Sequence, residues 1–343
     1  MARIQRIACS VLWLAMLAAL LASVAWPDVV QRRWVQWLPW WVGLLAFGLP
    51  HGALDHRIAQ ELRGGSDEAG RIWFYAAYAL LALVVMAVWW LVPVGALLGF
   101  LSVAAIHFGQ GDIYWSRRFG LLGWRPSRAY AVVLWLVRGL LPIGVPILAH
   151  PDEFVALAET MAAYVSPQTM AWAVPIEMVV AGWWVVGGLV GVQTVGALAL
   201  SAGGDRNVRR AAAGEAAETW LLLAVMSAVP PILAVGIYFN AWHSVRHVVR
   251  LMLAAAPMRG LVRMGRFGDA LAWFVRLSGP TTLAALVSLG LLALLVRQRV
   301  VSAADLGLVV VVVISALTLP HALVVAWMDQ RQGVWRMRAG SGP

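Results

Sequence analysis

Lysine is absent from the 343-residue chain, and cysteine occurs once, at Cys9. A single cysteine excludes an intramolecular disulfide and any thiolate-built metal cluster. Charge is also scarce, at 12% of residues, against roughly 25% in a soluble domain. Hydrophobic residues make up 62% of the chain and the mean hydropathy is +0.79, values that belong to an integral membrane protein. The short alternating segments of a transmembrane barrel are missing. The apolar runs instead reach the roughly 20 residues that a helical span requires. All 26 basic residues are arginine, and the net charge is +10. The arginines sit in short loops rather than along one face, so they do not form a nucleic-acid footprint and no nucleic-acid partner is expected.

The fold class is therefore all-α: a polytopic membrane helical bundle, with residues 1–343 as one membrane domain. Ten spans are predicted (eight at the fewest): 7–26, 37–58, 72–92, 94–115, 129–149, 171–200, 216–229, 231–255, 280–296 and 304–328. Arg3 and Arg6 precede the first run, and Ser23-Val24-Ala25 faintly resembles a cleavage site. That run reaches full membrane length, so an uncleaved first span is expected. The stretch "HPDEFVALAETMAAYVSPQ" reads as an acidic interfacial helix, and "GDRNVRRAAAGE" as a polar loop. The GxxxG pairs Gly95/Gly99 and Gly187/Gly191 read as ordinary close helix packing. No internal repeat is evident. Loops 57–71, 117–128, 203–214 and 250–266 and the tail 331–338 are arginine-rich, whereas the alternate connections near 93, 150–170 and 230 are not. By the positive-inside rule both termini are cytoplasmic, although Arg32, Arg33, Arg297 and Arg299 fall on the other side.

On this topology six of the seven histidines fall toward the cytoplasmic ends of spans two, four, eight and ten. His51, His56, His107, His243, His247 and His321 are thus at similar depth, within two to three turns at about 1.5 Å per residue. His150 reads as a surface residue of an external loop. In "FNAWHSVRHVVR", His243 and His247 share one helical face, a spacing that lets two imidazoles hold one metal. Ionisable side chains inside a membrane point to function. Arg246 and Arg250 are expected to snorkel to the interface or to bind a carboxylate. In "PHGALDH", Asp55 follows His51 by one turn and is placed to accept its second ring N–H, while His56 and Arg57 mark the helix edge. "AAIHFGQGDIYW" repeats the pattern with His107 and Asp112, and "LTLPHALVVAWMDQ" repeats the Pro-His pair at His321. His321 is read as supporting the site or orienting a substrate more than as a ligand. Among carboxylates only Glu177 is predicted to lie as deep as the imidazoles. A neutral histidine site accommodates Zn, Cu, Ni or Fe(II), and residue types alone do not choose.

Taken in order, "GLPHGALDH", "IHFGQGD", "NAWHSVRH" and "LPHALVVAWMD" resemble the bacteriorhodopsin-related-protein (Brp/Blh) family of β-carotene 15,15′-dioxygenases, over roughly residues 35–330. The resemblance implies a multi-pass enzyme of the cell inner membrane that splits the central double bond of β-carotene, or a related carotenoid, with O₂ and non-haem Fe(II). Two all-trans retinal molecules would result, which suggests a functional link to a microbial rhodopsin. Carried over by motif, the iron-binding histidines are His51, His107, His243 and His247. Asp55, Asp112 and His321 then support them, and Phe108, Tyr238, Trp242 and Trp327 are expected to line an apolar substrate tunnel. Two other readings stay open. A di-iron membrane desaturase or hydroxylase would carry about eight histidines in HxxxH and HxxHH boxes; this chain has seven, with one HxxxH. A non-enzymatic metal- or retinal-binding transporter or assembly factor is the other.

Overall fold

A computed structural model of the protein describes residues 2–65, 68–165, 173–295 and 302–336, and among these residues there is no strand. Helix α1 (Ala2–Ala25), the single turn α2 (Pro27–Val30) and α3 (Arg33–Gly43) open the chain. A π-helical turn, π1 (Leu44–Gly48), then leads into α4 (Leu49–Gly52) and α5 (Asp55–Arg63). The middle of the chain comprises α6 (Glu68–Leu91), α7 (Pro93–Phe119), α8 (Leu121–Trp124), α9 (Arg128–Ala149), α10 (Pro151–Val165), α11 (Ile176–Ser201) and α12 (Arg206–Ala228). It closes with α13 (Pro231–Ile237), a second π turn π2 (Tyr238–Ser244), α14 (Val245–Ala254), α15 (Ala256–Arg263), α16 (Phe267–Leu295) and α17 (Ala303–Gln332).

Six of these helices are long and apolar enough to cross a membrane: α6, α7, α9, α11, α16 and α17. The molecule is a helical membrane protein, but the expected ten spans are corrected. The six match the runs near 72–92, 94–115, 129–149, 171–200, 280–296 and 304–328; no helix long and apolar enough to cross covers the other four among the described residues. In α1 the apolar stretch among the residues whose side chains are described is Cys9–Ala25. The 37–58 and 231–255 runs are each interrupted by a π turn. The 216–229 run is the C-terminal part of α12, a helix that carries Arg206, Arg209, Arg210 and Glu215 before that run and Glu218 within it. Residues 203–214 are accordingly not a loop throughout. The Asp205 carboxylate caps α12 by accepting from the Asn207 and Val208 amides, and Val208, Ala212, Glu215, Thr219 and Leu222 form its buried face. Arg297, Arg299, Arg338 and the start of the 171–200 run lie outside the described residues, as does the end of the acidic stretch, whose remainder forms α10.

Helix α17 is central, packing against α3, α5, α6, α7, α10 and α16. Its N-terminus carries a capping box between Ser302 and Asp305, and Gly333 ends it in the left-handed conformation at φ 63°. Helices α7 and α9 cross closely where a Cβ on Gly139 would strike the Ala105 carbonyl and one on Gly109 would strike Trp135. The GxxxG pairs make no such approach, since Gly99, Gly187 and Gly191 face open space. The two π turns meet at Gly43, whose missing side chain leaves room for that of Asn240. The Asn240 amide donates to the carbonyls of Pro39 (3.1 Å) and Gly236 (2.9 Å), tying α3 to α13. A π turn inserts one residue into a helix and re-aims the side chains that follow, and such turns concentrate at functional sites. Here each leads to a histidine.

Candidate metal centre and apolar cavity

His51 sits on α4 directly after Pro50 and π1, His107 on α7, His243 in π2, His247 at the start of α14, and His321 on α17 directly after Pro320. All five are buried, and their rings touch. The His51 ring centroid lies 5.6 Å from His243, 5.5 Å from His247 and 4.9 Å from His321. His107 lies 4.6 Å from His243 and 4.8 Å from His321. His243 and His247 stack in near-parallel fashion at 6.2 Å, as their one-turn separation dictates. Ligand atoms of His51, His107 and His321 all lie within 4.8 Å of one another.

The ring nitrogens divide into two kinds. The His51 Nδ1–H donates to the Phe47 carbonyl (3.2 Å), and the His321 Nδ1–H donates to Asp55 Oδ2 (2.8 Å). Buried Nε2 atoms of His107, His243, His247 and His321 have no hydrogen-bond partner within the protein. Orphaned buried polar atoms are costly and call for an explanation. A shared metal ion satisfies several imidazole lone pairs at once, and a buried all-nitrogen donor set suits a divalent transition metal. The cluster fits a metal on these grounds.

The carboxylates are placed differently from expectation. Asp55 serves His321, not His51, and also accepts from the Tyr78 hydroxyl at 3.2 Å. Asp112 touches no imidazole nitrogen. It binds Arg246 Nη1 at 2.5 Å and accepts from Trp242 Nε1 at 3.2 Å. Arg246 also reaches Glu218 at 2.7 Å, Arg138 lies 3.3 Å from Glu218 and 3.7 Å from Asp112, and all four groups are largely buried. Arg250 binds Asp329 at 2.7 Å beneath the surface. Neither Arg246 nor Arg250 snorkels; both take the carboxylate partner. Glu177 is exposed, and the deep carboxylates include Glu215, which accepts from Ser116, Tyr130 and the Leu121 amide. A polar helix face running Ala212, Glu215, Thr219 was the signal for it. Tyr78, Arg138 and Glu218 were not identified from sequence. His150 is half-buried and stands apart from the cluster, and His56 stacks on Tyr75.

A cavity of about 380 Å³ opens from the cluster and touches His51, His107 and His321. Its wall follows one face of α17 through Leu308, Val311, Ile314 and Leu317 to His321, a run of roughly 20 Å at 1.5 Å per residue. Leu97, Phe100, Ala104 and Phe108 of α7 face it, and Phe154, Leu157 and Met161 of α10 complete the wall. Phe74, Tyr75 and Tyr78 of α6 and Thr281 and Ala285 of α16 also line it. Of the four residues expected in the lining, only Phe108 is there. Tyr238 and Trp242 are fully buried outside it, Trp242 within the Arg246–Asp112 network, and half-buried Trp327 is also outside the lining. Phe239 takes their place, edge-on to His51 at 5.6 Å and stacked on Trp40 at 5.8 Å.

This geometry coincides with the region of similarity to known proteins. The sequence pattern of beta-carotene 15,15′-dioxygenases matches residues 42–329, which contain all five clustered histidines. The probable beta-carotene 15,15′-dioxygenase Blh of Halobacterium salinarum is 33% identical over 332 residues, covering 94% of this chain and 92% of the relative. The probable beta-carotene 15,15′-dioxygenase Brp of the same organism is 29% identical over 316 residues, covering 86% and 84%. A beta-carotene 15,15′-dioxygenase of an uncultured marine bacterium is 38% identical over 66 residues, 19% of this chain and 24% of the relative. No solved structure matches. With a match that spans most of its length and every clustered histidine, the chain belongs to the β-carotene 15,15′-dioxygenase family.

Proposed function

We propose that the protein cleaves the central 15,15′ double bond of β-carotene, or of a related carotenoid, with O₂, releasing two molecules of all-trans retinal. The single observation that carries this reading is a buried imidazole cluster opening directly onto a long, almost wholly apolar cavity. A hydrocarbon polyene has no polar atom to satisfy, and such a cavity binds it through area removed from water. Fe(II) is the proposed metal, held by His51, His107, His243 and His247, and it supplies O₂ activation beside the double bond. The chain's own residues bind and position the polyene. Phe108 and Phe239 lie against the His243 ring at 4.7 and 6.2 Å and flank the approach to it. The leucines and phenylalanines of α7, α10 and α17 hold the substrate and exclude water.

The substrate is dissolved in the bilayer, and α6 and α16, which line part of the cavity, are the proposed side of entry. The same reading places the protein in the cell inner membrane with both termini cytoplasmic and links its product to a microbial rhodopsin. The desaturase alternative requires histidines for two iron ions. Five of the seven belong to one cluster, and His56 and His150 lie apart, which favours a single-metal centre. Expression in a bacterium that makes β-carotene tests the proposal. Loss of the yellow colour with accumulation of retinal is expected. Unchanged carotene in cells holding folded, iron-loaded protein would overturn it.

A further inference from the structure

We infer that His321 is itself a metal ligand, held in register by a relay of Asp55 and Tyr78. The inference rests on reading the cluster as a metal centre, and it adds three residues to that reading. His321 stands in the middle of the cluster, with ring centroids 4.9, 4.8 and 5.1 Å from His51, His107 and His247. It is one of the three residues whose ligand atoms converge within 4.8 Å. Its Nδ1 is committed to Asp55 Oδ2 at 2.8 Å, and a carboxylate only accepts, so the proton sits on Nδ1 and the Nε2 lone pair remains. That Nε2 is buried and has no protein partner. An imidazole whose far nitrogen donates to a carboxylate and whose near nitrogen is a bare acceptor has the arrangement of a metal ligand.

Two other roles for His321 fail on chemistry. A role in packing alone would leave Nε2 buried and unpaired beside four other imidazoles, at the cost of an unsatisfied polar atom. A histidine orienting β-carotene would need a polar atom to hold, and that hydrocarbon presents none. A metal ion is the partner that Nε2 lacks.

The relay draws on three separate elements. Asp55 opens α5, His321 lies on α17, and Tyr78 of α6 donates its hydroxyl to the same Asp55 oxygen at 3.2 Å, with the Leu317 carbonyl 3.4 Å away as a second acceptor. Asp55 is 3% exposed, so its charge has no aqueous compensation; the phenol and the imidazole provide it. Asp55 and Tyr78 are positioning residues. They touch the imidazole rather than the metal, and they fix its tautomer and orientation.

The test compares the full-length detergent-solubilised protein with His321→Ala, His321→Gly, Asp55→Asn and Tyr78→Phe. It measures iron retained against a competing chelator and the visible spectrum of the Co(II)-loaded proteins, whose bands report coordination number. Loss of the relay is expected to weaken metal retention roughly 10- to 100-fold for Asp55→Asn and less for Tyr78→Phe. Loss of His321 is expected to weaken it further and to shift the Co(II) bands. Added imidazole is expected to restore the parental spectrum in His321→Gly, which a purely structural role would not allow. Parental iron retention and an unshifted Co(II) spectrum in folded His321→Ala would overturn the inference. Should the His321 variants fail to fold, parental retention in both Asp55→Asn and Tyr78→Phe would overturn it equally. If the parent holds metal and His243→Ala loses it while His321→Ala does not, only this inference falls. If the parent protein binds no metal at all, the reading of the cluster falls with it.

Discussion

Two buried polar clusters share the same helices and behave in opposite ways. On α7, His107 leaves both ring nitrogens unpartnered, while Asp112 is bound by Arg246 and Trp242. Adjacent in sequence, Arg246 binds two carboxylates, whereas His247 has an orphaned Nε2. The ionic cluster pairs two arginines with two carboxylates and balances in charge, although Arg138 Nε and Nη1 and Arg246 Nε lack a hydrogen-bond partner. Arg246 also lies over the Trp242 ring at 4.2 Å, adding a cation–π contact. In the imidazole cluster the ligand atoms of His51, His107 and His321 converge within 4.8 Å of one another. The contrast separates two uses of buried polarity: internal satisfaction fixes helix register, and deliberate non-satisfaction prepares a ligand site.

The comparison is broken most severely from the imidazole side. His243→Ala and His247→Ala are each expected to abolish retinal formation and to lower bound iron, measured as product per folded protein and metal per chain. Full activity in either variant would remove that residue from the proposed ligand set. Next in size is the ionic side. Arg246→Leu leaves Arg138 as the one cation facing both Asp112 and Glu218, and removing one partner from a buried ion-pair network costs up to roughly 3–5 kcal/mol. A large fall in Tm is the expected result, read by thermal shift in detergent. An unchanged Tm would show that the network is solvated and contributes little. A smaller effect comes from Gly43→Val, which crowds Asn240 where the π turns meet. Overpacking of this kind costs roughly 1–3 kcal/mol. Because the turn leads to His51, a loss of iron retention alongside the lowered Tm is expected.

The sequence revealed what is local and hid what depends on rotation. The His243/His247 pair follows from spacing alone, and the Pro-His steps at His51 and His321 mark where helices are interrupted or lose a backbone donor. Six spans were legible because long apolar runs form helices whatever their neighbours do. The acid–base pairings were not legible, since Asp55 meets His321 across 266 positions and Asp112 meets Arg246 across 134. The π turns explain the misplaced lining. An inserted residue rotates the helix so that Phe239 faces the cavity while Tyr238 and Trp242 turn toward the ionic cluster. Hydropathy likewise missed the interruptions at 44–48 and 238–244, because a π turn leaves composition unchanged. Glu215 was missed because two arginine-rich turns precede it, and a polar stretch beside arginines reads as a loop until its Asp205 cap and its 3–4 periodicity are weighed together.

The smallest expected effect sharpens the comparison by asking whether an unsatisfied imidazole is enough. His150, like four of the clustered histidines, has a buried Nε2 without a partner, but no other imidazole ring stacks on it. Its backbone carbonyl accepts the Phe154 amide at 3.0 Å and so begins α10, a role that any residue fills. Among the described residues, removing the ring takes away no hydrogen bond to the side chain, only a charge interaction with Glu153. His150→Ala is therefore expected to change stability by no more than about 0.5 kcal/mol, the scale of substitutions that break no named interaction. Retinal yield and iron per chain should match the parent. A loss of bound iron in this variant would mean that an isolated orphan nitrogen is sufficient to draw metal, and convergence of several imidazoles would no longer distinguish the proposed centre.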